Sequence, residues 1–127
     1  MARGLPSRFA SSCRGVAAIE YALIVPALLT FMLGIMDVGR LMWTYSTLYR
    51  AVEAAARCGA VNVTDCASTA QIQNEAVAEA WGLTVASSAF TVATPACGVQ
   101  VSVTYSFTFT IPGFSDITLG PTACHPK

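Results

Sequence analysis

The sequence predicts an α+β protein in which a long N-terminal membrane-spanning helix precedes a second, short helix and a small antiparallel β-meander of about three strands. Three observations support this fold class. The run from Val16 to Met36 contains a single charged side chain, Glu20. A shorter helical pattern follows further along, and a strict alternation of apolar and polar residues near the C-terminus is typical of strands.

The apolar run has the length of a membrane span. At about 1.5 Å per residue it is roughly 30 Å long, which is the thickness of a bilayer's hydrocarbon core. Beyond Arg40 the apolar residues recur at spacings of three and four, and Gly59 stands where a helix stop is expected. We therefore predict one helix from Val16 to near Arg57, with its first half in lipid and its second half against a small domain.

A second helix is predicted after a loop. Ser68 and Gln71 have the spacing of a capping box, and Gly82 ends the pattern. The apolar face of this helix includes Trp81 and is expected to pack on the sheet.

The strand signal is clearest from Val99 to Ile111, where every second residue is apolar and the residues between are serine, threonine or glutamine. Thirteen residues are long for one strand, so a bulge or bend is expected within it. Ile117 and Leu119 indicate a final strand, and residues 124–127 are predicted to form a short tail.

The length of the chain and the distribution of its charges predict a leader, a membrane span and one small domain. Its 127 residues suffice for one small domain and an anchor, and 54% hydrophobic with 11% charged residues fits a membrane-attached chain. We expect a cytoplasmic leader at 1–15, the transmembrane half of the helix at 16–37 and an extracytoplasmic α+β domain at 38–127. The positive-inside rule supports this orientation, because three arginines and no acid precede Glu20: Arg3, Arg8 and Arg14. Without the leader the formal side-chain charge is −3, which argues against nucleic acid as a partner.

Four cysteines remain after the leader, and an even number in a small extracytoplasmic domain indicates two disulfides. Three pairings are possible. We favour Cys58–Cys66, which brackets one turn, and Cys97–Cys124, which brackets one candidate sheet. A zinc site is the competing interpretation, but there is no C-x-x-C and only one histidine, so neither a metal nor another cofactor is expected.

The start of the predicted helix carries a recognisable motif: Gly15, four small or apolar residues, then Glu20 and Tyr21. In this it resembles type IV pilin-like precursors of the Flp/Tad (tight adherence) branch. The apolar continuation, closed by Asp37-Val38-Gly39-Arg40, is similar to the opening of TadE-like minor pilins, or pseudopilins. The resemblance covers Gly15 to about Arg57 well and the β-rich part more loosely.

The resemblance implies that a prepilin peptidase cuts between Gly15 and Val16, and that Val16, Glu20 and Tyr21 serve in assembly. A charged carboxylate at membrane depth costs on the order of 2.5 kcal/mol and needs a partner, which the new Val16 amine would supply. The implied partners are the peptidase, other Tad/Flp pilins and minor pilins, the inner-membrane assembly platform and the lipid bilayer. The implied location is the bacterial inner membrane with a periplasmic C-terminal domain, followed by incorporation into an extracellular pilus.

The implied function is that of a minor pilin in pilus assembly or initiation and surface adhesion. An uncleaved, single-pass periplasmic binding or adhesion domain is the alternative. An enzyme is not predicted, because the sequence contains no catalytic constellation and His125 stands beside a cysteine near the C-terminus.

Overall fold

The computed structural model describes residues 13–127, so most of the expected leader lies outside the described residues. Within the described part, the chain forms two α-helices and five strands, which confirms the α+β class. Helix α1 spans Cys13–Val61 and helix α2 spans Thr69–Glu79. A short 3₁₀ turn at Ser87–Ala89 leads into the strands, which are β1 Phe90–Ala93, β2 Val99–Val103, β3 Tyr105–Phe107, β4 Ile117–Leu119 and β5 Thr122–His125.

Helix α1 is a single helix of 49 residues, roughly 70 Å long at 1.5 Å per residue. It continues past Gly59, where the sequence predicted a stop. A Cβ atom added at Gly59 would lie 2.7 Å from Cδ1 of Ile72 and 3.0 Å from Cγ1 of Val99. The glycine therefore lets α1 pack closely against α2 and β2, and the prediction that it ends the helix was wrong.

Helix α2 begins with the predicted capping box. The Ser68 hydroxyl accepts the Gln71 backbone N–H at 3.3 Å, and the Gln71 side chain accepts the Ser68 N–H at 3.0 Å. The helix ends at Glu79, ahead of a turn in which Gly82 has a φ of 71°. Trp81 therefore follows the helix and is 75% exposed, so its predicted place on the apolar face was wrong.

The strands form two antiparallel sheets, one with the order β1-β2-β5 and one made of β3 and β4. Val101 in the central strand pairs with Val92 on one side and Ala123 on the other. The long alternating stretch divides at Thr104, whose N–H donates to the carbonyl of Ala89 at 3.2 Å. This break is the bend that its length predicted, and it sends β3 into the second sheet.

Strand β5 was not predicted, because residues 124–127 were expected to be a tail. Residues 122–125 instead pair with β2, and a disulfide joins Cys124 to Cys97 in the turn before β2. Gly98, with a φ of 123°, lies so close to the His125 carbonyl that any side chain there would collide with it. The pairing depends on partners distant in sequence, which a four-residue segment does not reveal.

The hydrophobic core lies between the second half of α1, α2 and the three-stranded sheet. The apolar face predicted for the alternating stretch is the buried one, with Val99, Val101, Val103 and Phe107 all at most 4% exposed. The core begins on α1 at Leu48, and its members from α1, α2 and the residue after α2 are Leu48, Ala51, Val52, Ala55, Ala56, Ile72, Ala76 and Ala80. The first half of α1 thus lies outside the core.

Candidate membrane-anchoring and assembly segment

The first half of α1 exposes an almost continuous apolar surface. Between positions 16 and 36 every residue is exposed except Gly34, which is half-buried. Water-soluble domains rarely expose apolar patches of more than a few hundred Å² unless the patch binds a membrane or a partner. Among the described residues, α1 is the one helix long and apolar enough to cross a membrane, and its most apolar window is not buried at all. This segment therefore has the length, composition and exposure of a membrane anchor.

The predicted processing and assembly residues lie together at the start of this surface. Gly15 is in the first turn of α1, and no atom lies within 4 Å of a Cβ added to it. Val16, Glu20 and Tyr21 are all exposed on the next two turns. Positions 16 and 20 are one helical turn apart and so share a face of the helix. Their roles in cutting and assembly remain predictions.

Glu20 is the acidic group within the apolar surface. No hydrogen bond or ion pair joins its carboxylate to another side chain of residues 15–127. If this surface lies in lipid, the carboxylate needs a cation from outside this set of side chains. The geometry leaves the face around Glu20 open to such a group.

The two disulfides lie at the other end of the molecule. Cys58 at the end of α1 is bonded to Cys66, and Cys97 is bonded to Cys124 on β5, which is the pairing that the sequence favoured. Their sequence separations of 8 and 27 residues correspond to about 2.5 and 3.5 kcal/mol of stabilisation in the chain-entropy model. They stabilise the domain and take no part in the anchor.

A polar cluster that the sequence analysis missed joins the anchor to the domain. Asp37, the residue that ends the apolar run, is only 2% exposed. Its Oδ2 accepts the backbone N–H groups of Thr110 at 2.8 Å and Ile111 at 3.1 Å, and its Oδ1 accepts a hydrogen bond from Arg40 at 2.9 Å. We call these four residues the Asp37 latch.

Arg40 is the exposed member of the latch and contacts both the helix and the segment around Thr110. Its guanidinium also donates to the Thr110 hydroxyl at 2.7 Å and lies 5.4 Å from the centre of the Phe107 ring, which is cation–π distance. The sequence does contain a local sign of this cluster, which is an acid at the end of the apolar run with an arginine three residues later. The segment around Thr110, more than seventy residues away, could not be identified as its partner from local pattern.

Removal of the carboxylate should release the segment around Thr110. In Asp37→Ala the two backbone N–H groups lose their acceptor, and we expect the amides of Thr110 and Ile111 to exchange hydrogen at least about tenfold faster. Hydrogen-exchange mass spectrometry on the detergent-solubilised chain measures this. Asp116→Ala, which removes an exposed acid from the same hairpin, is the matched control and should change nothing. Unchanged exchange in Asp37→Ala would show that the latch does not hold the hairpin.

Comparison with known proteins identifies the region that contains the anchor. Residues 15–57 match the sequence model of the family described as TadE-like protein, so the predicted resemblance is confirmed. The match covers about a third of the chain, begins at Gly15 and ends one residue before Cys58. It thus includes the anchor, Glu20 and both helical members of the latch, but not the sheets. No curated protein and no solved structure gives a significant match to the chain.

Proposed function

From the resemblance of residues 15–57 to TadE-like proteins, a family associated with Tad pili, we propose that this chain is a minor pilin-like subunit of a Tad-type pilus and secretion system. It acts in pilus assembly or initiation and in surface adhesion. The observation that carries the proposal is the exposed apolar half of α1, which extends beyond a folded, disulfide-bonded domain. Such a helix can lie in lipid before assembly and against the helices of other subunits after it.

In the proposed topology the N-terminus is cytoplasmic, residues 16–37 cross the inner membrane and residues 38–127 lie in the periplasm. Arginines before the apolar run support this orientation. The two disulfides support it as well, because disulfides persist in oxidising compartments such as the periplasm and both lie in residues 38–127.

Maturation is proposed to occur by cleavage between Gly15 and Val16 by a prepilin peptidase. The bond lies in the first turn of α1, where backbone N–H groups have no helical partner and fraying costs little. A protease that needs extended backbone can therefore reach this bond without unfolding the rest of the helix. The beginning of the family match at Gly15 supports the same position.

Cleavage would create a cation next to the acid of the anchor. The new α-ammonium of Val16 lies one helical turn from the Glu20 carboxylate, so the two can neutralise one another in lipid. In a packed filament Glu20 would instead meet the amine of an adjoining subunit and set the axial register. The other partners are Tad/Flp pilins, minor pilins and the inner-membrane assembly platform.

The test is the N-terminus of the protein recovered from native membranes. We expect Edman sequencing or intact mass to give Val16 as the first residue, with the mass of residues 1–15 missing. An N-terminus at Met1 or Ala2 would contradict the proposal. It would instead identify a permanently anchored periplasmic binding or adhesion domain.

A further inference from the structure

The loop that connects β3 to β4 lies beside the anchor and not beside the core. We call residues 108–116 the hairpin tip. Ile111 and Phe114 form one wall of a groove of about 600 Å³, and the other wall belongs to α1: Ala27, Thr30, Phe31, Gly34, Ile35 and Val38. A Cβ atom added at Gly34 would lie 3.6 Å from Cδ1 of Ile111, which is ordinary van der Waals contact. The tip therefore packs close to the helix at this point. The tip thus extends along the apolar half of α1.

The Asp37 latch sets the depth of the tip. It fixes Thr110 and Ile111 at the level of Asp37, the first residue after the apolar run. At 1.5 Å per residue, the groove residues from Ala27 to Ile35 lie roughly 3 to 15 Å further into that run, and Val38 lies just beyond its end. If the run spans a bilayer, the groove is level with the outer part of the hydrocarbon core.

The composition of the tip suits that depth. Within the tip, residues 108–115 carry no charge, and Asp116 at its end is the one charged residue. Phe109 and Ile111 are half-buried, while Phe114 is 65% exposed and makes a tilted ring contact with Phe109 at 5.6 Å. Phenylalanine and isoleucine side chains insert favourably into the hydrocarbon of a bilayer.

The latch also satisfies two backbone N–H groups that burial in lipid would otherwise leave without a partner. An irregular loop carries such groups, and at membrane depth they lose their water partners, which is unfavourable. Here the N–H groups of Thr110 and Ile111 donate to Asp37. Arg40, which is 53% exposed beside them, places a cation where phospholipid headgroups begin.

We propose that the hairpin tip inserts into the outer leaflet as a second membrane contact, with a lipid acyl chain in the groove between Phe114 and α1. This inference rests on the proposed membrane span. Two contacts with the bilayer, one by α1 and one by the tip, fix the orientation of the domain relative to the membrane. A single helix would leave the domain free to tilt.

The test uses tryptophan fluorescence of the full chain in liposomes whose phosphatidylcholine is brominated in the acyl chains. Trp43 and Trp81 are first replaced by phenylalanine. Single tryptophans are then introduced at three positions that are all exposed: Phe31→Trp in the span, Phe114→Trp at the tip and Val63→Trp in the loop after α1. Each introduced tryptophan replaces a side chain that is at least 65% exposed, so it should leave the fold unaffected.

We expect strong bromine quenching at position 31, quenching approaching it at position 114, and none at position 63. Quenching at 31 without quenching at 114 would overturn insertion of the tip while leaving the span intact. Absence of quenching at 31 would overturn the span and the insertion together. If quenching at 114 disappears as the protein-to-lipid ratio rises, a second copy of the chain and not lipid is the preferred occupant of the groove, and the proposal is wrong on that point.

Discussion

Valine in place of Gly15 is expected to abolish maturation, so that the chain accumulates at full length. The peptidase must hold extended backbone at the residue before the cut, and a branched Cβ there would fill the space that glycine leaves to the enzyme. Misfolding is the usual alternative explanation for a loss of cleavage. It is not expected here, because nothing lies within 4 Å of a Cβ added to Gly15. The substitution therefore should not disturb the fold, and the mass of the membrane-extracted protein reports on cleavage alone.

Gly39→Val is the matched control for this prediction. Gly39 lies in the same helix, and a Cβ added there also has no neighbour within 4 Å. The same substitution is thus made in an equally open position, away from the proposed cut. We expect Gly39→Val to be processed normally. Efficient cutting of Gly15→Val after residue 15 would show that glycine is not required, and the assigned processing site would lose its physical basis.

Features of the fold that depend on nearby residues were predictable from the sequence. The capping box of α2 involves residues three positions apart, and the alternation from Val99 onward specifies which face of β2 and β3 is buried. The apolar run that forms the first half of α1 is likewise a local property. In each case the residues that determine the structure are neighbours in the chain.

Features that depend on distant contacts were missed. Gly59 was predicted to stop α1, because a glycine after an amphipathic run is an ordinary stop signal. In the structure its missing side chain gives room to Ile72 and Val99. Strand β5 likewise exists through its ladder with β2 and the bond from Cys124 to Cys97. The disulfide was favoured from the sequence, but the neighbours of Gly59 and the pairing of β5 with β2 could not be recognised from the segments themselves.

The candidate site also contains features that depend on nearby residues and features that depend on distant contacts. Gly15, Val16, Glu20 and Tyr21 form a linear motif, so the placement of Val16, Glu20 and Tyr21 on one stretch of helix could be predicted without a structure. Gly15 was expected just before the helix and lies inside its first turn. The Asp37 latch could not, since Asp37 receives hydrogen bonds from residues 73 and 74 positions later. Its consequence for the molecule is large, because it holds the hairpin tip, whose residues 108–115 carry no charge, against the anchor.

Replacement of Glu20 by alanine is the second change for which we expect a large effect. Cleavage should remain largely intact, because the substitution lies five residues beyond Gly15, whereas incorporation into pili should fall. Each 1.4 kcal/mol lost from a contact between subunits lowers an association constant about tenfold. A charge pair shielded from water exceeds this value readily when one partner is removed, since the other charge is left alone. We therefore expect at least about tenfold less protein in sheared pili.

Two further variants separate charge from shape at this position. Glu20→Gln keeps the size and hydrogen-bonding capacity of the side chain but cannot neutralise the Val16 ammonium, so it should fail as alanine does. Glu53→Ala removes an exposed acid from the same helix within the domain and should be incorporated normally. Quantitative immunoblots of the sheared pilus and membrane fractions, with mature protein confirmed by mass, compare the three. Normal incorporation of Glu20→Ala or Glu20→Gln would contradict the register role of Glu20, because the amine would then be accommodated without its counter-charge.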